Sequence, residues 1–202
     1  MATQNEAFVG RLSAHLEPSE CLYAVGQGAL AVEIVESDMK TAEKLRCLHH
    51  EPTCLRVVAE RAFMFTLDGG CSSPIAVACD FNNNGQLVLQ GAVFSTDGSE
   101  SLYQTVTKDL SVKTEGTKYE KTYTGILPQQ IELHKIHGAY ELGKEVADLL
   151  VEKGAGKIIA EAKALNNAEL KANSQCPFPF LKNLVLAVSL YFSLSLTCPV
   201  KH

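Results

Sequence analysis

No CxxC pair, no tryptophan and no internal repeat occur among the 202 residues. The missing CxxC spacing, with an odd set of seven cysteines at 21, 47, 54, 71, 79, 176 and 198, speaks against a zinc knuckle and against a disulfide scaffold. The opening MATQNEAFVGRL has neither a basic nor an apolar signal region, so no secretory leader is expected. Reduced thiols and a cytoplasmic location follow as expectations. Positive charge is in deficit: 18 basic residues face 23 acidic ones, a net charge of −5. A general nucleic-acid binder needs a basic footprint and is excluded on that ground. Arginine is scarce and confined to Arg11, Arg46, Arg56 and Arg61. Any bidentate anion clamp would therefore draw on the N-terminal third. With Gly 14 and Pro 7, collagen-like and proline-rich sequence is absent. The 46% apolar and 20% charged composition is that of a globular chain, which sets aside wholesale disorder.

No apolar run reaches the roughly 20 residues that span a bilayer. The longest, residues 184–196, holds ten apolar positions in thirteen. Leu190, Phe192, Leu194 and Leu196 alternate with Tyr191, Ser193 and Ser195, the period of a strand. A membrane anchor is the less favoured reading of this segment, and a poorly packed appendage the favoured one.

Along the chain, a short amphipathic piece around Phe8, Val9 and Leu12 ends near Pro18. Residues 21–35 read as a strand interrupted by Gly26-Gln27-Gly28, with 29–35 apolar enough for burial on both faces. Ser37 is a candidate cap for a helix over 39–49 with Leu45 and Leu48 inward. Pro52 suits the first turn of a second helix. Its Leu55, Val58, Ala59, Ala62 and Phe63 fall on one stripe, and Asp68-Gly69-Gly70 ends it.

A three-strand meander follows. Ile75, Val77 and Cys79 alternate, then Leu87, Leu89 and Val93, then a strand over 102–112. Turns are expected at Asn82-Asn83-Asn84-Gly85 and Thr96-Asp97-Gly98-Ser99. Residues 114–127 read as loop. A helix after Pro128 carries Ala139, Leu142, Val146, Leu149 and Leu150 inward, and Gly154-Ala155-Gly156 breaks it. A last helix over 157–168 turns Ile158, Ala162 and Leu165 inward, and Cys176-Pro177-Phe178-Pro179 stops any continuation. The order predicts an α+β fold, a three-stranded antiparallel sheet with helices on one face, preceded by an incomplete α/β remnant.

Two stretches carry more than fold information. One is Tyr23-Ala24-Val25-Gly26-Gln27-Gly28-Ala29-Leu30. The other runs Ala59-Glu60-Arg61-Ala62-Phe63, then Leu67-Asp68-Gly69-Gly70-Cys71-Ser72-Ser73-Pro74-Ile75. A thiol next to two glycines is an accessible nucleophile, although most cysteines beside turns are small hydrophobes. Gly26 and Gly28 suit a tight turn, and Gln27 can both donate and accept hydrogen bonds.

In this order and spacing the two stretches resemble the porphobilinogen deaminases (hydroxymethylbilane synthases). His49-His50-Glu51, the Thr96–Ser99 turn and the helices over 143–168 extend the resemblance to about residues 8–168. The resemblance implies a transferase of haem and tetrapyrrole biosynthesis. Four porphobilinogen units condense with loss of ammonia onto a dipyrromethane cofactor, which is held through a thioether at Cys71. It further implies that Gln27, Gly28 and Ser72 contact that cofactor or the growing chain. Glu60 and Arg61 are expected to form a buttressing ion pair, His49 and His50 to cap or hinge, and Arg11 is a loose candidate for substrate carboxylates. Cys21, Cys47, Cys54 and Cys79 read as core or surface thiols. No metal is expected, and a monomer is.

The resemblance divides the chain into residues 1–50, a remnant of the family's second and first domains; 51–168, the cofactor-carrying domain; and an unmatched tail at 169–202. The family's first domain, with its catalytic aspartate and arginine cluster, has no counterpart, so no catalytic carboxylate is assigned. Four arginines match poorly with the two carboxylates on every porphobilinogen. A truncated or alternatively spliced product, inactive alone, is the expectation. A non-catalytic α+β binding or regulatory module is the alternative, and a form tethered to a membrane by residues 184–196 is a third.

Overall fold

The computed structural model describes residues 13–14, 16–67, 73–113, 120, 123–127, 129–172 and 187–192, with side chains up to 166. The fold is α+β. Strand β1 is Leu30–Val35, helix α1 is Met39–Leu45, and a 3₁₀ turn covers Arg46–Leu48. Helix α2 is Glu51–Thr66. Strands β2 (Ile75–Phe81), β3 (Leu87–Phe94) and β4 (Ser101–Lys108) follow, then helices α3 (Leu133–Glu152) and α4 (Ala155–Ala172) and strand β5 (Ala187–Phe192).

Strands β2, β3 and β4 form one antiparallel sheet in chain order. Val77 faces Gly91 across one pair, and Leu89 faces Val106 across the other. Both connections are tight turns, with Gly85 and Gly98 each at φ +74°. Three side-chain and backbone donors of Ser95 and Ser99 hold the Asp97 carboxylate and pull its pKa down to about 2.

The apolar alternation explains the single covered face. Val77, Cys79, Leu87, Leu89 and Val93 are buried and join the α2 stripe of Leu55, Val58, Ala59 and Phe63 and the α3 stripe of Ile136, Ala139, Leu142, Val146 and Leu150 in one core. Two glycines set its spacing. A Cβ on Gly91 would stand 2.6 Å from the Phe63 ring and 2.9 Å from Val146. Gly143 lies where α3 crosses α2, against the Ala59 carbonyl, and a Cβ there would be 2.7 Å from that of Ala62.

Each sheet edge carries a contact at one point, and exposed edges otherwise invite pairing with other chains. On β2, Tyr23 exchanges backbone hydrogen bonds with Val77 at 2.9 and 2.8 Å. On β4, Lys153 Nζ donates to the Tyr103 carbonyl at 2.9 Å and to Gln104 Oε1 at 2.7 Å.

Several local expectations are corrected. β1 is not buried on both faces: Leu30 is 39% and Val35 56% exposed. It stands apart from the main sheet and pairs antiparallel with β5, Leu30 opposite Phe192. The strand-like tail is thus a strand over 187–192. The cap of α1 is Asp38 rather than Ser37, accepting from Thr41 N at 3.0 Å and Thr41 Oγ1 at 2.6 Å. The helix expected over 39–49 tightens to 3₁₀ after Leu45, which turns Ala42 inward and leaves Leu48 exposed. Strand β4 ends at Lys108, where Asp109 starts a turn by accepting from Ser111 N at 2.8 Å. Helix α4 begins at Ala155, directly after Gly154 at φ +102°, and Leu165 is exposed. The segment around Phe8, the stop at 68–70, Pro128 and the Cys176–Pro179 stop lie outside the described residues.

Within the expected loop, Tyr123 and Ile126 pair across a two-residue turn and are fully buried. Thr124 and Gly125 take φ +52° and +78°, the pattern of a type I′ hairpin turn. A β-branched residue is strained there. Thr124→Asn is therefore expected to stabilise the fold by about 1 kcal/mol in urea denaturation; a loss of stability would contradict the turn assignment.

Candidate functional site

The residues 23–29 form a turn laid against β2 and the middle of α2. Gly26 and Gly28 hold φ +74° and +84°, a region that glycine alone enters freely. A Cβ on either would meet nothing within 4 Å, so backbone conformation rather than close packing requires glycine. Gln27 and Gly28 are exposed at the tip. The Gln27 carboxamide oxygen accepts from Ala24 N at 3.1 Å, so the oxygen serves the turn itself. Its NH2 group is the part left to meet a ligand.

The turn closes one side of a cavity of about 590 Å³. Tyr23, Gln27 and Gly28 line it with Arg56 and Glu60 of α2 and Gln90 of β3. Glu60 is its chemically distinctive group. The side chain is 3% exposed, yet it is a carboxyl. Its Oε2 accepts from Gly26 N at 2.7 Å and its Oε1 from the Tyr23 hydroxyl at 3.2 Å. Burial pushes its pKa up to about 7, against the lowering effect of the Gly26 and Tyr23 bonds and of Arg56. Burial likewise raises the Tyr23 phenol, with the Glu60 charge adding to it.

The expected Glu60–Arg61 pair does not form. Successive helical residues point in different directions, about 100° apart. Glu60 turns to the 23–29 turn, while Arg61 Nε donates to the Thr124 carbonyl at 3.1 Å and its guanidinium lies over Phe65. Arg56 meets Asp80 at 3.6 Å, with Asp80 80% exposed, a surface contact of little energetic weight. Of the two histidines, His50 is the cap: its Nδ1 accepts from Thr53 N at 3.3 Å. His49 makes no cap, both ring nitrogens lack partners, and desolvation lowers its pKa.

The structure therefore brings Gln27 and Gly28 together with Glu60. Cys71, Ser72 and Arg11 lie outside the described residues. The chain leaves α2 at Leu67, seven residues beyond Glu60 and about 10 Å along the axis, and returns at Ser73 to lead into β2. Cys54 and Cys79 are buried, and Cys21 and Cys47 are exposed. Burial pushes the Cys54 thiol up to about 12 and raises that of Cys79 as well. Among the described residues no group of His, Cys, Asp and Glu is placed to hold a metal ion. No local sequence pattern marks Tyr23, Arg56 or Cys79 as site residues. Tyr23 adjoins the Gly-Gln-Gly turn, but nothing in its type signals that it would join β2 to Glu60.

Residues 54–152 match the family model of the porphobilinogen deaminase C-terminal domain. They are a domain of that family. The chain is 38% identical over 151 residues to the porphobilinogen deaminase of Synechococcus sp. (strain RCC307), covering 75% of this chain and 39% of that one. Against the porphobilinogen deaminase of Yarrowia lipolytica it is 36% identical over 149 residues, 74% of this chain and 37% of that one. With that of Gloeobacter violaceus the identity is 47% over 88 residues, 44% of this chain and 27% of that one. The chain thus spans about two fifths of the length of the first relatives. The matched domain contains α2, the main sheet and α3, so the cavity wall formed by Arg56, Glu60 and Gln90 belongs to it. Among the described residues, no helix is long and apolar enough to cross a membrane.

Proposed function

We propose that this chain supplies the cofactor-carrying part of a hydroxymethylbilane synthase, with Cys71 as the attachment residue. The match of residues 54–152 to the C-terminal domain carries the reading. Three cysteines fall in the matched residues: Cys54, Cys71 and Cys79. Cys54 and Cys79 are buried with raised pKa values, so neither offers a thiolate or room for a bulky adduct. Cys71 is the remaining thiol, and it follows two glycines that present no side chain. Its thioether would hold a dipyrromethane, which supplies the free pyrrole end onto which porphobilinogen units add.

The chain's own residues have separate tasks in this reading. Ser72 and the Gln27 NH2 donate hydrogen bonds to the tethered group or the growing chain, with Gly28 keeping that approach open. Glu60 holds the turn that presents Gln27. Residues 1–50 act as the cleft hinge, 51–168 as the carrier domain, and 169–202 as an appendage. The protein works as a monomer in the cytoplasm, and porphobilinogen and the linear pyrrole chain are its ligands.

No carboxylate is assigned to proton transfer during condensation, and four arginines match poorly with a chain that gains two carboxylates per unit. A polypeptide of these 202 residues is therefore expected to consume no porphobilinogen by itself. Porphobilinogen consumption and formation of the linear tetrapyrrole, measured at micromolar enzyme, check this. Turnover by the isolated polypeptide would overturn the division of labour.

A further inference from the structure

We propose that Glu60 is a positioning residue for the reaction, latching the Gln27–Gly28 turn to the carrier domain in a manner set by its own protonation. This rests on the reading that the turn faces the tethered cofactor or growing chain. Glu60 is a buried acid to which no step of the condensation is assigned above.

The geometry provides two states. The Tyr23 oxygen accepts from Cys79 N at 2.7 Å. Its single proton has two acceptors at 3.2 Å, Glu60 Oε1 and the Cys79 carbonyl. With Glu60 ionised, the Tyr23 proton points to the carboxylate, and the Gly26 N–H bond at 2.7 Å is charge-assisted. With Glu60 protonated on Oε1, that proton is donated to the Tyr23 oxygen and the Tyr23 proton turns to the Cys79 carbonyl. One proton enters from solvent and no covalent bond changes other than the new O–H. The Gly26 bond survives as a neutral one, about half as strong.

That bond matters because it is the one hydrogen bond from residues 24–29 to the α2–β2 body among the described residues. The turn is otherwise held by Ala24–Gln27 and Gly26–Ala29 bonds within itself and by the packing of Val25 and Ala29 on the core. Every charged or titratable neighbour bears on the equilibrium. Arg56 on α2 favours the ionised acid, Asp80 on β2 offsets Arg56, and the Tyr23 phenol and the buried Cys79 thiol resist a second negative charge. The cavity supplies the solvent path for the proton. A carboxyl titrating at about 7 populates both states near neutral pH.

The test is a titration of amide ¹H–¹⁵N spectra of the 202-residue chain from about pH 5 to about pH 9, bracketing the acid. The Gly26 amide proton is expected to move downfield in one step with a midpoint near pH 7, and the Cys79 amide to share that midpoint. In Glu60→Gln both should be flat. A Gly26 amide that does not titrate, or one that titrates equally in Glu60→Gln, overturns the latch. Should that variant not fold, the Glu60 carboxyl ¹³C shift of the native chain decides, since a midpoint different from that of Gly26 also overturns it. None of these readouts needs a loaded cofactor, so failure of Cys71 loading would leave the latch standing and would be recognised separately.

Discussion

Gly143→Ala is expected to lower stability by about 3 kcal/mol or more, at or beyond the top of the usual range for overpacking. The sign is not obvious from sequence. Glycine inside a helix normally costs up to about 1 kcal/mol relative to alanine, so the substitution in isolation should help α3. Here the added methyl would press on the Ala59 carbonyl, 2.7 Å from the Ala62 Cβ and 2.8 Å from Phe63 N. Two of those three contacts are backbone atoms of α2 and cannot rotate away. The helices must separate, and the Phe63 side chain, which fills the space over Gly91, must move with them. Urea denaturation of wild type and variant measures the difference. A change within 1 kcal/mol would mean that α2 and α3 do not cross as closely as described.

Glu60→Gln is the second large expected effect, and it depends on pH. The native acid has a pKa raised to about 7 from its ordinary value of 4.5, chiefly by burial. A carboxyl whose folded-state pKa is raised binds its proton more tightly in the native state than in the unfolded one. Stability from this group is therefore greatest below the unfolded value, falls as pH rises between about 4.5 and about 7, and is level above that. The total change is on the order of 3 kcal/mol for a group that remains this buried. Glutamine keeps an oxygen to accept from Gly26 N and carries no charge to desolvate. The variant should therefore lack the downward slope and be the more stable protein at pH 8 by up to that amount. Denaturation midpoints at about pH 5 and about pH 8 separate the outcomes. An equal deficit at both values would show that the carboxylate is needed for the fold whatever its charge.

The main domain was legible because its signals are periodic and local. The stripe Leu55, Val58, Ala59, Ala62 and Phe63 could face only one way on a helix, and all five are buried. The alternation through Val77, Cys79, Leu87 and Leu89 predicts the covered sheet face, and the glycines at 85 and 98 mark its turns. Errors cluster where the deciding contact is distant in sequence. β1 is apolar except for Glu33, but burial needs a sheet on both sides, and its described partner is β5 alone. Leu165 fits the α4 stripe on a helical wheel, but α4 runs past the core before reaching it. Asp38 outcompetes Ser37 for the cap by accepting from both the N–H and the hydroxyl of Thr41.

The candidate site was only half legible. Gln27 and Gly28 stood out as a turn, and Glu60 and Arg61 as charges on a buried helix. Adjacent opposite charges suggested a pair, but the helical rotation between neighbours sends one to the Gly26 amide and the other to the Thr124 carbonyl. The role of Tyr23 arises from its reach across 56 residues to Cys79, which no local pattern encodes. The cavity is a product of that tertiary arrangement.

Loading of Cys71 is the central claim, and intact-protein mass spectrometry tests it most directly. The purified 202-residue chain would be measured before and after incubation with the linear tetrapyrrole, beside a Cys71→Ser control. The account predicts a mass increase of one linear tetrapyrrole less the water lost as the thioether forms, located to the peptide containing Cys71 on the native chain and absent from the control. An adduct retained in the control, an adduct on another cysteine, or no adduct under any condition would contradict the assignment of Cys71 as the attachment residue of this chain.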